Sequence, residues 1–252
     1  MLDTFTITII CIVICAFFIF FIRRKIKDKC LKDFSRDMVT LEETTGKVIW
    51  GKLSVENTGL ELVYLTRHSD KSGHDETSYI LYKHEYPTIQ VLIRYHDELD
   101  EPSKKEREAE LKRTYHPTTL RRFKRKTVNF FKTMKDSVME VVNLLIGQTK
   151  KVSPAGAILV SKDRHTSQIK QELVSSVGTS FEPLLERHIG KMVVLEVIKG
   201  GKIFEYPGVL KDYTAEFIEV MDVYYSVKED QEARKADLVI PRRYGVVRHL
   251  GE

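Results

Sequence analysis

The sequence predicts an α+β protein with three parts: one N-terminal transmembrane helix, a small antiparallel β unit with a long amphipathic helix, and a C-terminal five-stranded barrel. Three observations predict this class. An apolar run of 18 residues stands near the N-terminus, two groups of alternating segments indicate strands, and a periodic apolar stripe indicates a helix between them.

Composition excludes several classes of protein. The chain has 252 residues, a net charge of +5, 42% hydrophobic residues and 31% charged residues. These values exclude a disordered chain and a multi-span membrane protein. Three cysteines without a CxxC pair argue against a disulfide scaffold and against a thiolate zinc site.

The apolar run begins at Phe5 and ends at Ile22, without a charge, glycine or proline. As a helix it is about 27 Å long, close to the hydrocarbon thickness of a bilayer. Basic side chains follow it: Arg23, Arg24, Lys25, Lys27 and Lys29. This excess predicts a single-pass anchor in a plasma or inner membrane, with the N-terminus outside and the bulk in the cytoplasm. The alternative is an export signal, against which the length of the run and the lack of a basic stretch before it argue.

The patterns divide the chain into five segments. They are the anchor with its basic juxtamembrane stretch (1–38), a β-rich unit (39–98), a charged linker with a basic amphipathic helix (99–150), a strand–helix connector (151–178) and a barrel (179–252).

The β-rich unit is predicted to contain four strands. Residues 46–55 and 59–66 form one alternating pair, and residues 78–83 and 88–95 form a second. The loop between the pairs carries residue types that bind metals, namely His68, Asp70, His74, Asp75 and Glu76. Their spacing matches no metal motif, so no metal site is predicted.

A long helix is predicted between Pro117 and Gly147, which are typical of a first helical turn and of the position after a helix. Its first half is basic, with Arg121, Arg122, Lys124, Arg125 and Lys126. Three interpretations stay open. The apolar stripe packs on the β unit, or the basic face contacts an anionic membrane surface, or the stripes of two chains associate.

The last segment reads as one short helix followed by five strands. A Gly200-Gly201 turn between two alternating runs is a hairpin signal, and Gly208 within a strand indicates a sharp bend. Residues 50–63 and 207–220 also share a Gly-x-Leu, a polar stretch and an alternating run. The first β unit is then either a divergent second barrel or an unrelated pair of hairpins.

This order of elements resembles the Sm-like (LSm) fold, a helix followed by a bent five-stranded barrel. Residues 179–250 carry the resemblance through two apolar motifs. The first contains Val193, Leu195, Val197, Gly201, Phe204, Gly208, Leu210, Phe217, Ile218 and Val220, and the second contains Val239, Ile240, Arg242, Val246 and Val247. Gly201, Gly208 and Leu210 are the positions that the resemblance marks as structural in the barrel. It also implies assembly into rings through strand edges.

Two departures from the family's pattern argue against RNA binding. The loop after the bend keeps Asp212 and Tyr213 but has no asparagine at the expected place, and no glycine follows Arg242. Both halves of the family's usual base pocket are therefore altered.

We accordingly expect a membrane-tethered scaffold or assembly protein, a homo-oligomer or one with protein partners. No GxSxG, P-loop, HExxH or GxGxxG motif occurs, so we predict no enzyme, no catalytic residue, no cofactor and no metal. One alternative is a membrane-localised RNA or other nucleic-acid binder that uses residues 121–126 with Arg242, Arg243 and Arg248. The other is an accessory subunit of a channel or transport complex.

Overall fold

A computed structural model of the chain describes residues 27–69, 73–115, 181–227 and 231–251. Three helices are present in these ranges: α1 (Lys29–Asp33), α2 (Glu101–Tyr115) and α3 (Pro183–His188). Ten strands are present: β1 (Met38–Glu43), β2 (Val48–Val55), β3 (Gly59–Ser69), β4 (Asp75–Tyr82), β5 (Ile89–Tyr95), β6 (Met192–Lys199), β7 (Lys202–Tyr213), β8 (Phe217–Tyr225), β9 (Arg234–Pro241) and β10 (Gly245–Leu250). Two 3-10 turns, Lys83–Thr88 and His96–Glu98, flank β5.

All ten strands belong to one sheet in the order β10-β6-β7-β8-β9-β5-β1-β2-β3-β4. Every neighbouring pair is antiparallel. We call α1 with β1–β5 the N-unit and α3 with β6–β10 the C-unit. Each unit is a short helix followed by five strands, with its fifth strand beside its first. The pairing of β5 with β9 joins the units, and we call it the seam.

Each unit has its own hydrophobic core, and each core takes residues across the seam. The N-unit core contains Leu31 of α1 and Phe34, the residue after α1, together with Phe217 and Val239 of the C-unit. The C-unit core in turn contains Val91 and other residues of β5. The two units are therefore packed as one body.

The predicted α+β class is wrong, because the described strands form one continuous antiparallel sheet rather than a β unit and a separate barrel. The physical reason lies in β5, whose seven residues are all buried. The backbone N–H and C=O groups of a buried strand need hydrogen-bond partners on both edges, and here β1 and β9 supply them. The predicted long amphipathic helix, with Arg121, Arg122, Lys124, Arg125 and Lys126, lies outside the described residues.

The predicted single-pass membrane anchor is also contradicted. Within the described ranges no helix is long and apolar enough to cross a bilayer. The longest of the described helices, α2, has fifteen residues and is rich in charge, whereas a span needs about 20 mostly apolar residues. The membrane as partner and the outside placement of the N-terminus fall with this prediction. The run from Phe5 to Ile22, with Arg23, Arg24 and Lys25, lies outside the described residues.

Candidate functional site

The N-unit and the C-unit begin with the same local structure. Residues 29–42 align without a gap to residues 183–196, so that α1 coincides with α3 and β1 with β6. Five positions are identical, including the Met-Val of both strands. Arg36 and Gly190, which are equivalent, both have a left-handed backbone, with φ of 83° and 78°. The two units are therefore structural repeats.

Strand register extends this equivalence through each unit. Val39 pairs with Gly51 as Val193 pairs with Gly208, which makes these two glycines equivalent. The register of β7 then shifts between Leu210 and Asp212, so that Lys211 is an extra residue in a bulge. The ungapped similarity of residues 50–63 to 207–220 misses this insertion. Beyond the bulge, Glu61 is equivalent to Glu219. Glu61 lies opposite Ser54 of β2, and Glu219 lies opposite Asp212, the equivalent residue of β7.

A buried cluster of charged side chains connects the two strands of the seam. Arg94 of β5 stands directly opposite Asp237 of β9, and both are buried. The Asp237 carboxylate accepts hydrogen bonds from Arg94 Nη2 at 2.8 Å and from Arg107 Nε of α2 at 2.7 Å. His96 Nε2 lies 2.9 Å from its other oxygen. Burial alone would raise the pKa of Asp237, but these hydrogen bonds and the two arginine charges hold it well below its usual range.

A second cluster surrounds Lys211, the extra residue of the β7 bulge. Its Nζ lies 2.6 Å from Glu110 of α2, 3.2 Å from Asp33 of α1 and 3.0 Å from Glu219 of β8. Glu219 is fully buried, and neither of its carboxylate oxygens accepts a hydrogen bond of good geometry from the described residues. Burial raises the pKa of Glu219 to about 7, although Lys211 opposes the shift. Lys211 of the bulge thus links α1 and α2 to one face of the C-unit sheet, which we call its outer face.

Two groups of side chains have the composition of a metal site. His96, Asp222 and Asp237 bring ligand atoms within 4.8 Å of one another. The carboxylates of this group already bind guanidinium groups. Arg107 Nη2 lies 2.5 Å from Asp222, and Asp237 forms ion pairs with Arg107 and Arg94. Glu196, Glu205 and His249 form the second group, on the surface of the C-unit. Arg248 is bonded to Glu196 there. Neither arrangement supports a metal centre.

The sheet terminates in two edge strands, β4 and β10. We call β4 with the exposed faces of β2 and β3 the β4 end, and β10 with the exposed faces of α3, β6 and β7 the β10 end. Within the described residues each of the two edge strands pairs on one side only. Large apolar side chains are exposed at both ends. The β4 end carries Val48, Trp50, Val63, Leu65, Ile80 and Tyr82, and the β10 end carries Leu184, Ile198, Ile203, Val246 and Leu250.

The structure places the remaining predicted residues in structural roles. Lys27 Nζ lies 3.1 Å from Glu56, and Lys29 forms an ion pair with Asp212. Gly201 has a left-handed backbone in the β6–β7 turn. Gly208 leaves no space for a side chain, because a Cβ there would lie 2.6 Å from methyl groups of Val220 and Val223. Leu210 is buried in the C-unit core.

The arginines of the nucleic-acid alternative are partly engaged with carboxylates. Arg242 forms an ion pair with Glu182, and Arg248 bonds Glu196 at 3.1 Å. Arg243 lies over the ring of Tyr244. Residues 121–126 are outside the described ranges.

No family model, no curated protein and no solved structure matches the chain. The resemblance to the Sm-like fold therefore stays a prediction. Sequence reasoning missed the seam and the two open ends. The shared Met-Val-x-Leu-Glu at 38–42 and 192–196 is the signal by which the repeat was detectable.

Proposed function

We propose that this chain is a non-enzymatic assembly protein that acts through protein–protein contacts at the two ends of its sheet. The observation that carries the proposal is the exposure of large apolar side chains at both ends, including Trp50, Ile80 and Leu250. Edge strands that face water are usually protected by charge, proline or a covering element. Contiguous apolar exposure is typical of a surface that binds another protein.

The β4 strand supports this interpretation in particular. Its last six residues, 77–82, have the sequence TSYILY, which contains no charge and no proline. Ile80 and Tyr82 of this stretch are exposed. An edge of this kind pairs readily with a further strand through its unpaired backbone groups. The engagement of Arg242 and Arg248 with carboxylates favours protein contacts over phosphate contacts.

The proposal is tested by the native size of the assembly that contains the chain. A tagged chain, expressed at its natural level, is sedimented from a gentle cell extract beside its Ile80→Lys and Leu250→Lys variants. We expect the wild-type chain to sediment well above the mass of a monomer and both variants to shift towards it. Tyr224→Lys is the matched control, because Tyr224 is equally exposed but lies on an interior strand. A wild-type chain that sediments as a monomer would refute the proposal.

A further inference from the structure

We infer that the partner at these ends is a second copy of the same chain, bound head to tail, with the β10 end of one copy on the β4 end of the next. This inference rests on the proposed function and names its partner. It follows from the repeat. The N-unit contacts the C-unit through α1 and β5, and the C-unit presents the equivalent elements, α3 and β10, to a next copy. The contact between copies would then repeat the seam.

Helix α3 has an exposed apolar residue where the equivalent residue of α1 is buried. Cys30 of α1 is 0% exposed, because α1 lies between its own unit and strands β7 and β8 of the C-unit. The equivalent residue of α3 is Leu184, which is 65% exposed. In the head-to-tail arrangement α3 covers β2 and β3 of the next copy, the equivalents of β7 and β8. Leu184 is then buried as Cys30 is.

The strands at the β4 end also have exposed apolar residues where their equivalents in the C-unit are buried. Val63 and Ile80 of the N-unit are 42% and 52% exposed. Their equivalents in the C-unit are Met221 and Val239, both 0% exposed. Val239 packs in the N-unit core, and α1 contacts β8, the strand that carries Met221. A second copy supplies the missing cover for Val63 and Ile80.

Register predicts which residues would face each other. In the seam, Leu92 of β5 lies opposite Val239 of β9. The equivalent of Leu92 is Val247, because Leu41 pairs with Leu92 as Leu195 pairs with Val247. Val247 of one copy is therefore expected opposite Ile80 of the next. By the same equivalence His249 lies opposite Tyr79 of the next copy.

Charge is complementary at the same contact. Asp33 of α1 and Glu219 of β8, both acidic, are joined between the two units by the inserted Lys211. The N-unit has no residue equivalent to Lys211, because β2 lacks the bulge. Arg187 replaces Asp33 at the equivalent position of α3 and is exposed. It faces Glu61 of the next copy, the equivalent of Glu219, so an arginine–glutamate pair forms without the lysine.

Disulfide trapping tests the register. Two single variants of the full chain, Ile80→Cys and Val247→Cys, are made with Cys11 and Cys15 replaced by serine and are mixed under mild oxidation. Residues directly opposite on antiparallel strands have Cα atoms about 4.5–5.5 Å apart, a distance that a disulfide spans. We expect a covalent heterodimer. The matched control is Val246→Cys with Ile80→Cys, because Val246 lies on the other face of β10 and should not cross-link.

Sedimentation of the purified full chain tests the association itself. We expect concentration-dependent association that Ile80→Lys and Leu184→Lys each weaken at least tenfold, while Tyr224→Lys leaves it unchanged. Glu61→Arg should also weaken it, and adding Arg187→Glu should restore it. A head-to-tail contact yields closed rings or filaments, so species larger than dimers are expected. A purified chain that stays monomeric would overturn the inference, as would cross-linking through Val246→Cys in place of Val247→Cys. If the chain nevertheless sediments in a large assembly from cells, the proposed function survives with a different partner.

Discussion

The N-unit and the C-unit have the same strand order but differ in what covers them. α1 and α2 contact the outer face of the C-unit through Asp33 and Glu110, and Met221 and Glu219 of β8 are fully buried. The described residues leave the equivalent face of the N-unit uncovered, and Val63 is exposed there. Burial of a side chain is thus decided by the neighbouring unit rather than by the alternation within its own strand. Four substitutions, each matched between the units, test this comparison.

Asp237→Ala should have the largest effect on stability. It leaves the guanidinium groups of Arg94 and Arg107 buried beside each other without their shared carboxylate. Removing one partner of a buried ion pair typically costs about 3–5 kcal/mol. We expect the free energy of unfolding, measured by urea denaturation, to fall by about that amount. Ser78→Ala is the control, at the equivalent position of the N-unit, and should change it by less than about 0.5 kcal/mol. Equal effects would show that the seam does not stabilise the chain.

Glu219→Gln should change how stability depends on pH. The pKa of Glu219 is raised from 4.5 to about 7 in the folded chain, so the folded chain holds this proton more tightly than the unfolded chain does. The stability linked to this group is complete below pH 4.5 and is lost as the pH rises through about 7. The shift corresponds to a loss of up to about 3 kcal/mol between pH 4 and pH 8.

The Gln variant cannot ionise, so it should lack this loss. We expect it to be more stable than the wild-type chain at pH 8 and close to it at pH 4, measured by urea denaturation at both values. Glu61→Gln is the matched control at the half-buried equivalent position in the N-unit. For that variant we expect the wild-type difference between the two pH values to persist. A Glu219→Gln variant with the wild-type pH dependence would mean that Glu219 does not titrate in this range.

Gly208→Ala should be the next largest effect and should exceed Gly51→Ala. A Cβ at Gly208 would lie 2.6 Å from methyl groups of Val220 and Val223 and 2.8 Å from the carbonyl oxygen of Met221. At Gly51 it would lie 2.8 Å from the carbonyl oxygen of Val63 and would meet no side chain at such a distance. Overpacking of this kind typically costs about 1–3 kcal/mol. We expect Gly208→Ala to lower the thermal midpoint of unfolding further than Gly51→Ala, and the reverse order would contradict the comparison.

Strand patterns predict which segments pair locally but not which units join. Alternation and the Gly200-Gly201 turn indicate the β6–β7 hairpin, because both signals act over neighbouring residues. The seam pairs residues more than 140 positions apart, such as Arg94 and Asp237, and no local signal indicates it. The ungapped similarity of residues 50–63 to 207–220 indicates a repeat but runs one residue out of register beyond the Lys211 bulge. An alignment of α1 and β1 with α3 and β6 fixes the register, since no insertion interrupts them.

Thiol reactivity should distinguish the covered helix α1 from the exposed helix α3 with almost no effect on stability. Burial raises the pKa of the Cys30 thiol well above its usual range, so Cys30 should resist a thiol reagent in the folded chain. A cysteine at the equivalent exposed position, Leu184→Cys with Cys11 and Cys15 replaced by serine, should react quickly in dilute solution. Its stability should differ by less than about 0.5 kcal/mol from that of the parent. At concentrations where copies associate, its reaction should slow, because the next copy then covers it as the C-unit covers Cys30. A reaction rate that does not depend on concentration would show that α3 takes no part in a contact between copies. The two helices would then share their backbone structure but not their burial.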